Sequence, residues 1–170
     1  MIGTLELPSA LEASTSDLTL RRAHRGDLLP LLKLLADDPV STNRGDEAVP
    51  EDVTRYAEVL TDLIQDPSNE LLVLVNPAGE LMATMQLTRI PGMTRRGATR
   101  LQIEAVRVSS LHRSSGIGSA MMKWVLESAA PATGASLVQL TSDDARTDAH
   151  RFYERLGFVG SHRGFKYQVA

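Results

Sequence analysis

The stretch of sequence that decides the fold lies beyond the middle of the chain, where a strand gives way to a turn and then to a helix. It reads Val106-Arg107-Val108-Ser109-Ser110-Leu111-His112-Arg113-Ser114-Ser115-Gly116-Ile117-Gly118. The helix continues after it with apolar residues at three- and four-residue spacing. Glycine at positions 116 and 118 permits unusual backbone angles and the close approach of a ligand. The stretch therefore predicts a strand, a ligand-accessible turn and an amphipathic helix in direct succession.

The predicted turn has the chemistry of an anion site. The first N–H groups of a helix have no partner within the helix, and the helix dipole favours a negative charge beside them. Arg113 adds a cation next to these groups. A pyrophosphate fits such a turn, although a Gly-x-Gly pair alone also marks tight turns that bind nothing. The turn is not a P-loop, since no Gly-Lys-Ser/Thr follows, and it lacks the third glycine of the dinucleotide fingerprint.

Outward from this turn, hydrophobic periodicity predicts an alternation of strands and helices. Strands are predicted at residues 18–22, 71–75, 81–89, 99–108, 137–141 and 165–169, and helices at residues 27–35, 50–64, 117–128 and 149–156. We expect Pro131 and Gly134 to end the third helix. The segment from residue 99 to residue 141 is a right-handed parallel crossover. The predicted fold class is α/β, a mixed, mostly antiparallel sheet flanked by helices.

Composition places the chain among ordinary globular domains. Its 170 residues, 42% of them hydrophobic, suffice for one domain, which we expect over residues 17–170 after a loose leader at residues 1–16. The net charge of −3 predicts no nucleic-acid partner, and we expect no membrane partner and a cytoplasmic location. The absence of cysteine excludes disulfides, thiolate metal sites and a cysteine nucleophile.

Two sequence signatures resemble those of the GNAT superfamily of N-acetyltransferases. Arg113-Ser114-Ser115-Gly116-Ile117-Gly118 is similar to the family's Arg/Gln-x-x-Gly-x-Gly/Ala motif. Ala149-His150-Arg151-Phe152-Tyr153-Glu154-Arg155-Leu156-Gly157-Phe158 is similar to its second motif, Ala-x-x-Phe-Tyr-x-x-x-Gly-Phe. The order and spacing of the motifs and the order of the elements match the family from about residue 17 onward.

This resemblance implies that acetyl-CoA is the co-substrate and that it lies where the two parallel strands splay apart. It implies that pantetheine bonds to the backbone of Val106, Arg107 and Val108. The pyrophosphate would bind backbone N–H groups of Arg113, Ser114, Ser115, Gly116, Ile117, Gly118 and Ser119. Relatives often carry a coenzyme-contacting Asn seven residues before the tyrosine, where this chain has Arg146, so that contact is not carried over.

The resemblance also suggests the catalytic groups. Tyr153 is the candidate acid for the leaving thiolate, although its ring could simply pack in the core. Glu104 is the candidate base, because strand alternation predicts it on one face with Gln102, Val106 and Val108, opposite Arg107. Alternatively, Glu104 pairs with Arg89 or Arg100. The Val106 N–H is the expected oxyanion donor.

The sequence therefore predicts an N-acetyltransferase in which a primary amine attacks acetyl-CoA directly in a ternary complex. The alternatives are a catalytically silent acyl-CoA-binding or sensory module and a protein Nα- or lysine acetyltransferase. The acceptor is a small-molecule or peptide amine, and a homodimer is possible. The acidic residues between Asp37 and Asp52 weakly favour a cationic amine. The spacing of the four histidines fits no metal site.

Overall fold

A computed structural model describes residues 2–13, 16–38 and 49–169 of the chain. Within these residues the strands form one six-stranded sheet in the order β1-β2-β3-β4-β5-β6. The strands are β1 Ser9–Ala13, β2 Ser16–Arg22, β3 Asn69–Val75, β4 Leu81–Ile90, β5 Arg100–Val108 and β6 Leu137–Leu140. Neighbours from β1 to β5 pair antiparallel, whereas β5 and β6 run parallel. The predicted α/β fold with one parallel pair is confirmed.

The helices of eight residues or more in this part of the chain are α1 Leu28–Ala36, α2 Val53–Gln65, α3 Ile117–Trp124 and α4 Thr147–Arg155. Helix α2 follows a 3-10 turn at Pro50–Asp52, where proline suits a first turn because the N–H that it lacks would have no partner there. The chain continues from α3 through a π-helical turn, Val125–Ala129, into Ala130–Ala132. The expectation that Pro131 ends this helix is therefore wrong. Pro131 lies in the first turn of the final helical piece, directly after the π-helical turn.

Two predictions about the ends of the chain are also wrong. Residues 9–13, expected to belong to a loose leader, pair with β2, and Ile2, Leu5 and Leu11 are buried. Residues 158–169 form neither helix nor strand, and Phe165 and Tyr167, in the predicted last strand, are 90% and 91% exposed. Alternation describes which face a strand would present, but a strand forms only where tertiary structure supplies a pairing partner.

The two faces of the sheet are set by alternation along β3. Val73 and Val75 form a buried cluster with Ala23, Leu31 of α1 and Leu60 of α2, so this is the face that α1 and α2 cover. The opposite face is also buried, and six of its large side chains are at most 1% exposed, namely Leu72, Leu74, Met85, Leu87, Leu101 and Ile103. A sheet residue is buried to this degree only when another layer covers it.

Contacts between Cα atoms divide the chain into a first unit, residues 1–139, and a second unit, residues 140–170. The first unit contains the sheet up to Gln139 together with α1, α2 and α3. The second contains α4, which Gly157 ends with a φ of 88°.

An ion pair fixes the connection from β2 to α1. Arg21 Nη1 and Nη2 donate to the two carboxylate oxygens of Asp27 at 2.7 and 2.8 Å, and the His24 backbone N–H donates to the same carboxylate at 2.9 Å. Burial alone would raise the pKa of Asp27, but the hydrogen bonds from Arg21 and His24 outweigh it and hold this pKa below its ordinary value. Asp27 therefore stabilises the folded state in its charged form.

We predict that Asp27→Asn lowers the free energy of unfolding by about 2–4 kcal/mol at pH 7, because it leaves Arg21 with a neutral partner in a largely buried site. A depressed carboxyl pKa contributes stability above the ordinary value of about 4, and that stability is lost as the pH falls through the folded-state pKa. Urea denaturation from pH 7 to pH 3 measures this free energy of unfolding for the wild type and for Asp27→Asn. The difference between the two values should shrink below about pH 4. Asp17→Asn, an exposed position on β2, is the control and should change stability by less than about 0.5 kcal/mol. Equal effects of the two substitutions would contradict the assignment.

Candidate functional site

A β-bulge interrupts the ladder between β4 and β5. Gln86 lies opposite Glu104 and Thr84 lies opposite Arg107, so two residues of β5, Ala105 and Val106, face the one residue between them on β4. Ala105 has a φ of 50°, in the left-handed region that costs a residue with a Cβ about 1–2 kcal/mol. Such strain persists only where the surrounding structure imposes it, and it concentrates at functional sites.

The bulge changes which side chains share a face. Cross-strand partners point to the same side of a sheet, so Arg107 shares the face of Thr84, Gln86 and Glu104. Val108 lies opposite Ala83 and belongs to the other face. The prediction of Glu104, Val106 and Val108 on one face opposite Arg107 is therefore wrong. Side chains alternate between the two faces along a strand, and the extra residue in the bulge reverses the face of every residue after it. Thr84 also lies opposite Val73, so Glu104 and Arg107 are on the face that α1 and α2 cover.

Glu104 is exposed, and its carboxylate forms no hydrogen bond or ion pair with any residue that the structure describes. The alternative pairing with Arg89 does not occur. Arg89 lies opposite Leu101, on the other face, and donates to the Thr133 carbonyl oxygen at 3.0 Å and to Thr99 Oγ1 at 3.4 Å. A carboxylate with this exposure is available to a ligand.

Several neutral polar side chains lie near Glu104 on its face of the sheet. Gln86 Nε2 and Thr88 Oγ1 both donate to Asn69 Oδ1, at 2.9 and 2.6 Å. Gln139 Nε2 donates to Gln102 Oε1 at 2.7 Å, a side-chain hydrogen bond that joins β6 to β5. Since Gln102 is only 9% exposed, this bond satisfies a buried amide oxygen. Side-chain hydrogen bonds thus join β3 to β4 and β5 to β6 in addition to the backbone pairing.

The turn after β5 has the backbone of an anion site. A 3-10 turn at Ser110–His112 is followed by positive φ angles at Ser114 (63°) and Gly116 (84°), and α3 begins at Ile117. Within the described residues the backbone N–H groups of residues 113–119 donate to no acceptor, whereas that of Ala120 donates to the Gly116 carbonyl oxygen. Alternation of right- and left-handed residues turns successive N–H groups inward. These free donors fit the phosphate groups of a coenzyme.

The turn is tied to the end of α1. The Ser110 backbone N–H donates to Asp37 Oδ2 at 2.6 Å, and Arg113 Nη2 donates to the Asp37 carbonyl oxygen at 2.7 Å. The hydrogen bond from the Ser110 backbone lowers the pKa of Asp37. Sequence reasoning missed this link, since no local pattern connects two residues that are more than seventy positions apart. Of the region predicted to select the acceptor, residues 39–48 lie outside the described residues.

Tyr153 belongs to α4 in the second unit and is half-buried. Its ring makes edge-to-face contacts with Phe152 and Phe158, with ring centroids 5.2 and 5.7 Å away. The Phe158 N–H donates to the Tyr153 carbonyl oxygen at 3.1 Å. The ring of Tyr153 therefore packs against two other aromatic residues of the second signature. The other predicted site residues, Glu104, residues 106–108 and residues 113–119, all belong to the first unit.

Neither a metal centre nor a membrane span is found in the part of the chain that the structure describes. No group of three His, Asp or Glu side chains among residues 2–13, 16–38 and 49–169 could hold a metal ion. No helix formed by these residues is both long and apolar enough to cross a membrane.

Comparison with known proteins matches the chain to one family model and to a curated relative. The model of the acetyltransferase (GNAT) family matches residues 31–158, more than half of the chain. An aminoalkylphosphonate N-acetyltransferase from Salmonella typhimurium is 41% identical over 64 residues, which cover 38% of this chain and 41% of that protein. The chain therefore matches less than half the length of this relative.

Solved structures match over most of the chain. The crystal structure of a transcriptional regulator from Bacillus halodurans C-125 shares 38% sequence identity, with a TM-score of 0.83 over 89% of this chain and 99% of that one. An acetyltransferase from Trypanosoma brucei shares 27% identity, with a TM-score of 0.72 over 90% of this chain and 100% of that one.

Proposed function

The chain belongs to the acetyltransferase (GNAT) family, and from this premise we propose that it transfers an acetyl group from acetyl-CoA to a primary amine by direct attack in a ternary complex. The observation that carries the proposal is the succession, within sixteen residues, of a strained bulge at Ala105 and a turn of free N–H groups before α3. The first is suited to a thioester and the second to a pyrophosphate.

The coenzyme would contact the chain mainly through its backbone. The N–H groups of residues 113–119 and the positive end of α3 favour the pyrophosphate. The bulge interrupts the regular pairing of β5 with β4 and leaves Val106 without a registered partner on β4. Its N–H would then be open to the acetyl oxygen, and Val106, Arg107 and Val108 would hold pantetheine along the strand. Acetyl-CoA itself supplies the activated acetyl group.

Each proton in the transfer has a candidate residue. The amine nitrogen forms a bond to the acetyl carbon as the carbon–sulfur bond breaks, and the nitrogen loses a proton to Glu104, directly or through water. Tyr153 gives a proton to the departing thiolate. The assignment of Glu104 as the base is supported by its exposure and by the lack of a hydrogen bond or ion pair between its carboxylate and any described residue. A positioned acid or base typically contributes about 10²- to 10⁴-fold in rate.

The acceptor is a primary amine, and a small molecule is the class that we favour. The 41% identical segment of the Salmonella typhimurium protein supports this choice, since that protein is an aminoalkylphosphonate N-acetyltransferase. A peptide or lysine amine is the alternative, and free-thiol release with a small amine or with a lysine-containing peptide distinguishes the two.

A second candidate function is a catalytically silent acyl-CoA-binding module that acts in regulation. One observation favours it, namely that the Bacillus halodurans protein with 38% identity is described as a transcriptional regulator. Such a module would bind acetyl-CoA at the same turn, release no free thiol with any amine and tolerate the loss of Glu104 and Tyr153.

Substitution of Gly118 tests the coenzyme turn. We predict that Gly118→Val weakens acetyl-CoA binding at least tenfold, about 1.4 kcal/mol, because a branched side chain in the first turn of α3 crowds the pyrophosphate. Isothermal titration calorimetry measures the affinity, and circular dichroism checks the fold. Gly164→Val is the matched control, since a Cβ there would meet no atom within 4 Å. Equal affinity of a folded Gly118→Val protein would exclude the pyrophosphate from this turn.

Substitution of Tyr153 separates acid catalysis from packing. Tyr153→Phe keeps the ring contacts with Phe152 and Phe158 and removes only the hydroxyl. We predict that kcat falls about 10²-fold while the affinity for acetyl-CoA stays within about twofold. Tyr167→Phe, at a side chain that is 91% exposed, is the control and should leave kcat unchanged. If Tyr153→Phe retains most of the kcat, the residue serves packing alone.

Substitution of Glu104 tests the base. Glu104→Gln keeps the shape of the side chain and removes its basicity, so kcat/KM should fall by about 10²-fold near neutral pH. The deficit should shrink at high pH, where more of the amine is already neutral. A free-thiol assay from pH 6 to pH 10 measures both profiles, with Glu12→Gln, an exposed residue of β1, as the control. Parallel profiles with unchanged kcat would remove Glu104 from the mechanism.

A further inference from the structure

A chain of side-chain hydrogen bonds connects an exposed carboxylate to Gln86 in the sheet. Asn69 Nδ2 donates to Asp66 Oδ2 at 2.7 Å, and Gln86 Nε2 donates to Asn69 Oδ1 at 2.9 Å. A second donor, Thr88 Oγ1, contacts the same oxygen of Asn69 at 2.6 Å. All four residues belong to the first unit of the chain. These hydrogen bonds therefore link the start of β3 to the middle of β4.

The carboxylate of Asp66 sets the orientation of both amides. A charged carboxylate only accepts hydrogen bonds, so Asn69 presents its nitrogen to Asp66 and its oxygen to Gln86. Gln86 must then present its nitrogen to that oxygen. The hydrogen bond from the Ser68 backbone N–H lowers the pKa of Asp66, which keeps the carboxylate charged in neutral solution. The side-chain oxygen of Gln86 is therefore the end of the amide that is turned away from Asn69.

This oxygen of Gln86 is open to a ligand. It accepts a hydrogen bond from no residue that the structure describes, and it is not among the buried polar atoms without a partner. Gln86 lies directly opposite Glu104, so the Cβ atoms of the two residues are about 5 Å apart. An amide oxygen and a carboxylate thus lie on neighbouring strands of one face, and both groups accept hydrogen bonds.

The proposed reaction brings an amine beside these two groups. Val106, whose N–H is proposed to hold the acetyl oxygen, lies two residues beyond Glu104 in β5. The nitrogen of a primary amine carries two N–H groups as it bonds to the acetyl carbon. One proton passes to Glu104, directly or through water, and the other stays on the nitrogen of the amide product. A secondary amine has a single N–H, which it loses in the same step.

We propose that the side-chain oxygen of Gln86 accepts a hydrogen bond from the N–H that the acceptor keeps, and that this contact selects primary amines over secondary amines. This inference rests on the proposed acetyl transfer and names the residue that recognises the acceptor nitrogen. A neutral amide oxygen suits the contact, because it accepts the hydrogen bond without removing the proton. A site that bonds to a substrate N–H discriminates against an analogue that lacks it, because a polar group of the site is then left unpaired.

The test compares primary amines with their N-methyl derivatives. The pairs are 2-aminoethanol with 2-(methylamino)ethanol, 2-aminoethylphosphonate with its N-methyl derivative, and a lysine-containing peptide with the same peptide methylated once on the lysine nitrogen. Free-thiol release measures kcat/KM, and the primary amine that the wild type uses best defines the pair that decides. We expect kcat/KM to be at least about tenfold higher for this primary amine than for its N-methyl derivative.

Variants separate a hydrogen bond from steric exclusion of the methyl group. Gln86→Met keeps the length of the side chain and removes its oxygen, so the preference should fall to about twofold or less, whereas a steric preference would persist. Gln86→Glu keeps an acceptor oxygen and should retain the preference. Asn69→Ala removes the group that orients Gln86 and should lower the preference. Gln65→Met, at an exposed position of α2, is the matched control and should retain it.

Three outcomes overturn the inference while leaving acetyl transfer intact. These are equal use of the primary and N-methyl amines by the wild type, full retention of the preference in folded Gln86→Met, and a raised KM for acetyl-CoA in that variant. If Gln86→Met does not fold, an unchanged preference in Asn69→Ala or a lost preference in Gln86→Glu would overturn it. Absence of acetyl transfer to any primary amine, together with retained acetyl-CoA binding, would instead reject the proposed function and this inference with it.

Discussion

The interrupted pairing between β4 and β5 is the constraint on which the rest of the site depends. Regular pairing would give every backbone group of β5 a partner and would turn Arg107 toward the buried face that carries Leu101 and Ile103. The extra residue at Ala105 removes both conditions, at the expense of a left-handed backbone in a residue with a Cβ. The strands on either side hold this strain in place, because β4 is paired along nearly its whole length with β3. A rigid sheet thus imposes a geometry that the local sequence would not choose.

The second determinant of the site is the set of hydrogen bonds that link the turn before α3 to helix α1 and strand β2. The turn before α3 carries the free N–H groups, and the end of α1 holds that turn through Asp37, Ser110 and Arg113. Helix α1 is in turn fixed at its start by the pair of Arg21 and Asp27. The turn before α3 is therefore supported from β2 through α1, by polar contacts that are distant in sequence.

Much of the fold could be predicted because its signals are local. The glycines at 116 and 118, the apolar spacing of α3 and the Phe152-Tyr153 signature all report on short segments, and the corresponding elements occur where they are expected. The bulge could not be predicted, because alternation assumes an unbroken period and Ala105 carries no turn signal. The strand Ser9–Ala13 was missed because Leu11 is its only large apolar residue. The strand expected around Phe165 failed for the opposite reason, since its pattern is strong but no partner strand pairs with it in the described residues.

The link through Asp37 has a consequence for how such a protein can change its specificity. The chain leaves α1 at Asp37 and enters the region between α1 and α2, which we expect to influence the choice of acceptor. Asp37 itself serves the coenzyme turn through its carboxylate and its carbonyl oxygen. A library that randomises the region between α1 and α2 from residue 39 onward should therefore yield enzymes with new acceptors and intact coenzyme affinity. A library that includes residue 37 should yield mainly inactive members, because the loss of Asp37 would release the turn before α3 from the end of α1.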